Sequence, residues 1–458
     1  MNSMKKVTAT VLAATMVVAT AGICDVENAS AAVKVLNGKS KKITVGDTFK
    51  IVLKANGAVS YKSSSKKVAK VTKKGVVKGV KPGKATITIK GASGSAKVKV
   101  TVNPSKVKAV SAAADVDTVK VTWTKVKKAA GYEVYVSTKA KSGFKKIKTV
   151  TSGSKTSVNL TDLKSGTYYF KVKAYAKAGK KKLKSEYSKA TEGVKVWTLT
   201  WSDEFNGNSL DTNNWTFETG QTGWGNGEWQ NYTASGNYEV KDGSLVIIPR
   251  INYNKATRKF DAKSATSTRI KTKGKKEFTY GKMEIRAKSS QANGTWSAGW
   301  MLGNDLETNI WPKCGEIDIM EGMSGGVPQT IHCEYFNNQP TAPGGNKNYD
   351  TGLTQAKAAE DFHTYTALWN ETSIEFSVDG KLVGLYDPSK YKEDIRQKCW
   401  PFNHDFFFIL NCAIGGNASS TPDDKKPYDA TGWKVVSQNG DIQTLEDYFY
   451  IDYVRVYQ

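Results

Sequence analysis

Three carboxylates lie close together in the stretch CGEIDIMEGM, residues 314–323. Side chains alternate between faces along a β-strand, so Glu316 and Asp318 share one face and Glu321 is expected on the other. A β-bulge at Met320, where two residues oppose one on the neighbouring strand, would bring Glu321 to the face of the first two acids. The spacing leaves two interpretations: a regular strand with solvent-facing acids, or a bulged strand with a carboxylate cluster.

A carboxylate cluster of this kind could hydrolyse a glycosidic bond. Three negative charges on one face cannot all persist without cost, so the pKa of one acid rises and that acid can donate a proton while another stays ionised. Retaining glycoside hydrolysis by double displacement needs this division of roles. Trp296, Trp300 and Trp311 lie just upstream, and aromatic rings stack well against the apolar faces of sugars.

The elements that position these residues are predicted to be β-strands. Short apolar runs such as GSLVIIP, YGKMEIRAK, TIHCEYF and SIEFSVDG recur through residues 196–458, which predicts a large two-sheet sandwich. Two smaller sandwiches are predicted before it, over residues 33–103 and 104–195, with Trp123 as a core residue and Tyr168 as a corner residue of the second. The fold class is therefore all-β.

The first 32 residues have the features of a signal peptide. Lys5 and Lys6 precede an uncharged segment, and small residues near Ala31 and Ala32 suit cleavage. A membrane anchor is the alternative interpretation, and we expect a secreted protein. Four cysteines would remain, all in the C-terminal half, and sequence cannot choose between disulfides and buried thiols for them: Cys314, Cys333, Cys399 and Cys412.

Charge is divided unevenly along the chain. Residues 33–195 hold 40 lysines, no arginine and 7 acids, a net charge of +33. The whole chain carries +26 and residues 1–32 are neutral, so residues 196–458 carry −7. Lysine without arginine argues against nucleic-acid recognition. The alternatives left for this basic region are contact with a cell wall or other anionic polymer, and simple solubility.

Three segments resemble known families. The order VGDTF to KPGKATITIK in residues 33–103 resembles a bacterial Ig-like (group 2) module, and VKVTW with LTDLKSGTYYFKVKAYA in residues 104–195 resembles a fibronectin type III module. The segments WSDEFNG, GWGNGEWQNYT, GTWSAGWMLG, WPKCGEIDIMEGM and IDYVRVYQ occur in this order in residues 196–458. They resemble glycoside hydrolase family 16, in its laminarinase-like branch. This resemblance implies a β-jelly-roll with a concave cleft and retention of anomeric configuration.

The resemblance also implies roles for individual residues. Glu316 corresponds to the nucleophile, Glu321 to the general acid/base and Asp318 to the assisting carboxylate. Substrate-binding roles are implied for Trp296, Trp300, Trp311, His332, Arg269, Asn226 and Glu228. Ser297 stands where the family usually has Pro, and Gly299 where it often has Phe. The shape of the cleft near Trp300 therefore does not follow from the resemblance.

A structural calcium ion is the one cofactor that the resemblance implies, away from catalysis. Its ligands would be Glu204, the carbonyl of Gly243 and Asp452, and calcium suits such hard oxygen ligands. No cofactor is implied for catalysis itself.

The leading functional hypothesis is a secreted, monomeric endo-β-1,3-glucanase that also accepts mixed β-1,3/1,4 links. The five-residue separation of the two catalytic glutamates resembles laminarinases, whereas lichenases and xyloglucan enzymes of the family usually have a four-residue separation and no bulge. Agarases and carrageenases can share the five-residue separation. Activity on lichenan or agarose is therefore an alternative. An inactive glucan-binding protein is a further alternative, although such a protein is expected to lack one of the two glutamates.

Overall fold

The computed structural model of the protein describes residues 32–115, 118–337, 347–417 and 432–458. The predicted signal peptide lies outside the described residues apart from Ala32. Within the described ranges, no helix is both long and apolar enough to span a bilayer. The chain forms two compact units. The first comprises residues up to Ser111, Thr122–Val158 and Tyr169–Thr191. The second comprises Ala112–Val121, Asn159–Tyr168 and Glu192–Gln458.

The N-terminal part of the chain contains only strands among its described residues. These are β1 (Lys34–Val35), β2 (Ser40–Thr44), β3 (Thr48–Lys50), β4 (Leu53–Lys54), β5 (Ser60–Ser63), β6 (Ala69–Val71), β7 (Val76–Gly79), β8 (Gly83–Gly91), β9 (Gly94–Asn103), β10 (Val110–Asp115), β11 (Thr118–Trp123), β12 (Gly131–Ser137), β13 (Lys145–Val150), β14 (Ser157–Thr161), β15 (Gly166–Ala178), β16 (Lys181–Lys184) and β17 (Val194–Val196).

Strands β1–β9 build a small sandwich. One sheet has the order β2-β9-β8-β5 and the other the order β3-β7-β6. Ile87 and Val98 from the first sheet and Ala69 and Val77 from the second belong to one buried core. Alternation of apolar and polar residues along β8 and β9 places one face of each strand in this core and leaves the other in solvent.

The second small module contains the two aromatic features predicted for it. Trp123 is buried and its ring lies 5.2 Å from the ring of Tyr132. The hydroxyl of Tyr168 donates to the carbonyl of Lys164 at 2.9 Å, a backbone contact of the kind made by a tyrosine corner. Both features therefore agree with a fibronectin-like sandwich.

The C-terminal part is also mostly strand. Its strands are β18 (Leu199–Asp203), β19 (Thr216–Glu218), β20 (Asn231–Tyr232), β21 (Tyr238–Lys241), β22 (Ser244–Ile247), β23 (Arg250–Asn254), β24 (Lys259–Ser267), β25 (Arg269–Lys271), β26 (Glu277–Phe278), β27 (Gly281–Lys288), β28 (Thr295–Gly303), β29 (Glu316–Gly322), β30 (Gln329–His332), β31 (Lys347–Tyr349), β32 (His363–Trp369), β33 (Ile374–Val378), β34 (Lys381–Tyr386), β35 (Phe406–Ile414), β36 (Lys434–Asn439), β37 (Ile442–Glu446) and β38 (Phe449–Tyr457). The helices are α1 (Glu334–Asn337), α2 (Gln355–Ala358), α3 (Glu393–Cys399) and a 3-10 helix (Pro388–Lys390).

Two eight-stranded sheets form the body of this part. The order is β21-β22-β38-β27-β32-β33-β34 in one, where β18 also pairs with β38, and β19-β25-β35-β28-β29-β30-β31 in the other, where β26 also pairs with β35. A third sheet has the order β20-β24-β23-β37-β36. The arrangement is a β-jelly-roll sandwich, and the all-β prediction is confirmed.

The core lies between the two large sheets. Ile285 and Val454 from the first sheet and Met301 and Ile317 from the second belong to one buried cluster. The sheets approach closely at Gly299, where an added Cβ would lie 2.7 Å from Cδ1 of Ile285. A larger side chain at this position would therefore push the sheets apart or displace Ile285.

The two departures from the family pattern lie on the core side of β28. Ser297 is buried and its hydroxyl lies 2.9 Å from that of Ser289, and Gly299 faces Ile285. Neither position lines the surface that Trp300 occupies.

The sequence left open whether the four cysteines form disulfides or are buried thiols. In the structure all four are buried free thiols.

Candidate active site

Strand β29 carries the three acids, and its register contains the bulge. Opposite β28, Trp300 pairs with Asp318 and Gly299 pairs with Met320, so Ile319 has no partner. Ile319 and Met320 thus form the bulge opposite Gly299, which includes Met320 as predicted, and both side chains turn into the core. After the bulge, the alternation of side chains between the two faces is shifted by one residue, which returns Glu321 to the face of the other acids.

The contacts of Glu321 show where its side chain points. It accepts hydrogen bonds from Nε1 of Trp296 at 3.3 Å and from Oγ1 of Thr330 at 3.0 Å. Thr330 is the cross-strand partner of Asp318, so this contact places Glu321 on the same side of the sheet as Asp318. Of the two interpretations left open by the sequence, the structure has the bulged strand with a carboxylate cluster.

Glu316 stands at the more open end of the cluster. Its Oε2 accepts a hydrogen bond from Nε1 of Trp311 at 2.8 Å, and its Oε1 lies 3.8 Å from Nε2 of His332. The Trp311 side chain is 44% exposed, so this indole holds the carboxylate while one ring surface remains accessible. A carboxylate placed at the edge of solvent in this way can act as a nucleophile.

Asp318 is the most enclosed of the three acids. Its Oδ2 lies 3.2 Å from Nε2 of His332, and its side chain is 3% exposed. Burial raises the pKa of Asp318 well above its ordinary value, and the charges of Glu316 and Glu321 add to the rise. The carboxyl group of Asp318 therefore favours the neutral, protonated form in these surroundings.

His332 balances the negative charge of the cluster. Burial would lower its pKa, but the charge of Glu316 and the contact with Asp318 outweigh burial and raise that pKa to about 10. The Nδ1 atom faces the side-chain amide of Asn337 at 2.9 Å, which suits the neutral tautomer, while the acids favour the cation. In both states Nε2 carries a hydrogen, and this nitrogen lies 3.2 Å from Oδ2 of Asp318, so the cluster retains protons as a unit.

Glu321 holds its proton more tightly than an ordinary glutamic acid. Burial raises its pKa, and the charge of Glu316 adds to the rise, against the opposing influence of His332, Thr330 and Trp296. The two hydrogen bonds fix the orientation of the carboxyl group. A buried, oriented carboxylic acid with a raised pKa can act as a general acid.

Trp296 and Trp300 lie four residues apart on β28, an even separation, and so share a face with the acids. The Nε1 of Trp300 donates to Oδ1 of Asn411 at 2.8 Å. The guanidinium carbon of Arg269 lies 5.0 Å from the centre of the Trp300 ring and 4.8 Å from that of Trp224. Arg269 thus bridges two aromatic rings, and Trp224 is a cleft residue that sequence reasoning missed.

A continuous row of paired residues crosses the sheet to the acids. Successive strands place Glu218 beside Arg269, Arg269 beside Asn411, Asn411 beside Ala298, and Ala298 beside Glu321. Oε2 of Glu218 lies 2.6 Å from Nε of Arg269, and its Oε1 lies 2.6 Å from Nζ of Lys271. Burial alone would raise the pKa of Glu218, but these two cations outweigh it and lower the pKa.

Glu228 lies below the cleft surface. Its carboxylate accepts hydrogen bonds from Nδ2 of Asn226 at 3.1 Å, Nε2 of Gln230 at 2.7 Å and the hydroxyl of Tyr232 at 3.2 Å. The Tyr232 hydroxyl in turn accepts from Nδ2 of Asn411 at 3.0 Å. Glu228 therefore holds Asn226 and the loop around it. From Glu228 the hydrogen bonds continue through Tyr232 and Asn411 to Trp300.

Four further residues of the site were not among the predicted ones: Asn411, Thr330, Glu218 and Tyr232. Asn411 lies in an apolar strand, FFFILNCAI, where it is the only side chain with two hydrogen-bonding groups, and that contrast could have singled it out. Thr330 lies two residues before His332, and period-two alternation could have placed it on the same face. Glu218 and Tyr232 have no local pattern that marks them.

The carboxylates predicted to bind calcium are engaged by arginines. The two oxygens of Glu204 accept hydrogen bonds from Nε and Nη2 of Arg455 at 2.8 and 2.7 Å, and Asp452 pairs with Arg286. Gly243 occupies the turn between β21 and β22 with a φ of 72°. As arranged, these residues do not fit a calcium ion, because the cation would have to displace a guanidinium group. The family resemblance predicts calcium binding here, whereas the arginine contacts oppose it.

One other group of potential metal ligands occurs among the described residues. Ligand atoms of Glu316, Asp318 and His332 all lie within 4.8 Å of one another. These are the residues of the acidic cluster itself, and their mutual contacts account for the spacing.

Comparison with known proteins agrees with all three predicted resemblances. The family model described as glycosyl hydrolases family 16 matches residues 237–421, that of the fibronectin type III domain matches residues 103–191, and that of the bacterial Ig-like domain (group 2) matches residues 25–102. The domain boundaries themselves stay predictions.

Individual relatives match the C-terminal part of the chain. A beta-glucanase of Rhodothermus marinus is 33% identical over 271 residues, which are 57% of this chain and 85% of the relative. A glucan endo-1,3-beta-glucosidase A1 of Niallia circulans is 35% identical over 278 residues, 57% of this chain but only 38% of that protein. A solved structure, the laminarinase from Flavobacterium sp. UMI-01, is 36% identical, with 57% of this chain and 100% of that chain covered and a TM-score of 0.44.

Proposed function

Because the chain belongs to glycosyl hydrolase family 16, we propose that it is a secreted, retaining endo-β-1,3-glucanase that also cleaves mixed β-1,3/1,4-glucan. The observation that carries this proposal is the bulge in β29, which gathers Glu316, Asp318 and Glu321 on one face. An acid with a raised pKa and a more exposed carboxylate on that face supply the two groups that a double displacement needs.

In the first step, a carboxylate oxygen of Glu316 attacks the anomeric carbon and forms a covalent bond to the sugar. The bond from that carbon to the glycosidic oxygen breaks, and the oxygen takes the proton of Glu321 as it leaves. Trp311 donates to Oε2 of Glu316 at 2.8 Å, which orients this carboxylate for attack.

In the second step, Glu321 acts as a base. It takes a proton from a water molecule, the water oxygen bonds to the anomeric carbon, and the bond to Glu316 breaks. Two displacements at one carbon return the original anomeric configuration. Asp318 and His332 keep protons within the cluster, so Glu321 works beside the negative charge of Glu316.

The choice of glucan rests on the aromatic surface and on the relatives. Trp296, Trp300 and Trp311 line the surface beside the acids and are partly exposed, as a platform for neutral sugar rings must be. Related proteins named beta-glucanase and glucan endo-1,3-beta-glucosidase support a glucan substrate. The five-residue separation of the glutamates also occurs in agarases, so substrate preference needs a direct assay.

That assay compares reducing-sugar release from laminarin, lichenan, agarose and xyloglucan by the same enzyme preparation. We expect the highest rate on laminarin and a lower rate on lichenan. Activity on agarose alone would refute the glucanase proposal. The anomer released first from laminarin, followed by proton NMR, should be β; an initial α product would refute retention.

The role of Glu316 is tested by Glu316→Ala. We expect turnover to fall by roughly a thousandfold or more while laminari-oligosaccharide binding persists. The exposed Glu371 provides a matched control, since Glu371→Ala removes an acid from the same part of the chain. Full turnover by Glu316→Ala would refute the assignment of the nucleophile.

Secretion is part of the proposal and is tested separately. A fusion of residues 1–32 to a reporter enzyme should deliver the reporter to the culture medium, and the mature protein should begin near residue 32 or 33. A reporter that stays in the membrane fraction would favour the alternative of an anchor.

A further inference from the structure

One face of the first small sandwich carries a regular pattern of lysines. In the sheet β2-β9-β8-β5, one face packs on the core and the other faces solvent. In four successive rows of paired residues, the solvent-facing side chains are six lysines, three serines and three threonines. We call this surface the lysine face: Ser40, Lys42, Ser60, Lys62, Lys84, Thr86, Thr88, Lys90, Ser95, Lys97, Lys99 and Thr101.

Lysines and hydroxyl residues alternate in each of these four rows. Thr101 lies between Lys42 and Lys84, and Thr88 lies between Lys97 and Lys62. In the other two rows a lysine lies between two hydroxyl residues, with Lys99 beside Ser40 and Thr86, and Lys90 beside Ser95 and Ser60. No two lysines of the face are direct cross-strand partners, and direct like-charge pairs destabilise a sheet.

The second sheet of the same sandwich lacks this alternation. There Lys70 and Lys78 are direct cross-strand partners. The regular spacing is thus a property of the lysine face rather than of every surface in a lysine-rich module.

The positive charge of the lysine face has no balancing acids. Residues 33–103 contain 18 lysines and a single acid, Asp47, whose carboxylate accepts a hydrogen bond from the backbone N–H of Thr44 at 2.9 Å. Within the described residues, no ion pair involves any of the six lysines of the face, and all six are exposed. A surface shaped for solubility alone mixes both signs, whereas this one presents a single-sign field that attracts anions.

The chemistry of the face limits what can bind there. A neutral glucan carries no charge to be attracted, and the face has no aromatic ring on which a sugar could stack. Single-stranded nucleic acids also depend on aromatic stacking, and base edges are read mainly by arginine, which is absent from residues 33–195. The groups on offer are ammonium and hydroxyl, which bind phosphate oxygens as point charges and simple donors.

We infer that the lysine face binds an anionic wall polymer of the polyol-phosphate type, a chain of phosphodiester-linked polyols without bases. Its phosphates would lie near the lysines of successive rows, and the serine and threonine hydroxyls would donate to phosphate oxygens between them. The face shares no residue with the cluster of Glu316, Asp318 and Glu321, so the inference does not rest on the proposed glucanase activity.

The test compares two variants of the full chain that differ only in which six lysines are changed to glutamine. The face variant changes Lys42, Lys62, Lys84, Lys90, Lys97 and Lys99. The control variant changes six exposed lysines elsewhere in the module, Lys66, Lys67, Lys70, Lys73, Lys74 and Lys78. Both variants lose the same charge, and thermal unfolding of each checks that the module still folds.

The probe is soluble poly(glycerol phosphate), with poly(dT) of equal phosphate number and laminarin for comparison, and binding is measured by calorimetry at two salt concentrations. We expect the native chain to bind poly(glycerol phosphate) with an affinity that falls as salt rises, and the face variant to bind about tenfold or more weakly. The control variant should retain more affinity than the face variant, and Glu316→Ala should bind as tightly as the native chain.

Three results would overturn the inference. Equal losses in the face and control variants would show that net charge alone matters, and undiminished binding by the face variant would exclude the face. Binding of poly(dT) as tight as that of poly(glycerol phosphate) would show that the surface does not select a polymer without bases.

Discussion

Oγ1 of Thr330 lies 3.0 Å from Oε2 of Glu321, although the strand register pairs Thr330 with Asp318 instead. The contact crosses diagonally between the two strands and is possible because the bulge turns Glu321 toward the cleft. The hydroxyl donates to the carboxylate and favours its ionised form, whereas burial favours the protonated form. Thr330 thus orients the candidate acid and moderates its pKa.

Replacement of this hydroxyl should shift the pH profile. In Thr330→Val, the loss of a donor to the carboxylate raises the pKa of Glu321 further, so the basic limb of kcat/KM moves to higher pH. We expect kcat/KM at the optimum to fall about fivefold, as for one lost hydrogen bond. Thr330→Ser retains a hydroxyl and should keep the native profile. A basic limb that stays in place, or moves to lower pH, would contradict this role.

Glu321→Gln should lower activity and raise stability at neutral pH. Turnover is expected to fall roughly 10²- to 10⁴-fold, because the general acid is lost. The folded-state pKa of Glu321 is raised above 4.5, so folding stability is lost as pH rises through the folded value, and a neutral glutamine avoids that loss.

At pH 7 the Tm of Glu321→Gln should exceed that of the native chain. This difference in Tm should vanish near pH 4, where Glu321 is protonated in both the folded and the unfolded state. Glu371→Gln, at an exposed position, should leave Tm unchanged at both pH values. A Tm of Glu321→Gln below the native value at pH 7 would show that the carboxylate stabilises the fold.

Asn411 links the aromatic surface to the loop that holds Asn226. Its side chain accepts from Trp300 and donates to Tyr232, and it is buried. Asn411→Ala leaves both partners short of a hydrogen bond, so the free energy of unfolding should fall by about 1–3 kcal/mol. Because Trp300 would lose its orientation, KM for laminarin should rise several-fold with a smaller change in kcat.

A double-mutant cycle separates positioning from a general structural effect. If Asn411 acts on substrate binding through Trp300, the KM effects of Asn411→Ala and Trp300→Phe will be less than additive in the double variant. Fully additive effects on KM would mean that Asn411 influences the cleft by another route.

The arginine contacts of Glu204 and Asp452 determine the expected response to calcium. Since guanidinium groups already engage both carboxylates, neither EDTA nor millimolar calcium should change the Tm of the native chain. Arg455→Gln should lower the unfolding free energy by about 1 kcal/mol or less, as expected for a partly exposed pair, and calcium should partly restore it. A rise in the native Tm with calcium would show that the ion displaces Arg455 and that the family-type site forms.

The carboxylates, the cleft tryptophans and the all-β architecture could be predicted from the sequence because each depends on local pattern. Period-two alternation places Glu316 with Asp318 and Trp296 with Trp300 whatever the strands pair with. Composition also separates the lysine-rich N-terminal part from the mildly acidic remainder, since net charge needs no knowledge of contacts.

Other features depended on strand pairing, which sequence spacing does not reveal. The bulge exists only in the pairing of β28 with β29, which leaves Ile319 without a partner. The row from Glu218 to Glu321 joins five strands from distant parts of the chain. The alternation of lysines across the N-terminal sheet likewise exists only between strands. The sequence by itself determined which chemical groups are present and how they alternate along each strand; the tertiary structure alone decided which groups meet, because register between strands is set by burial of their shared apolar face.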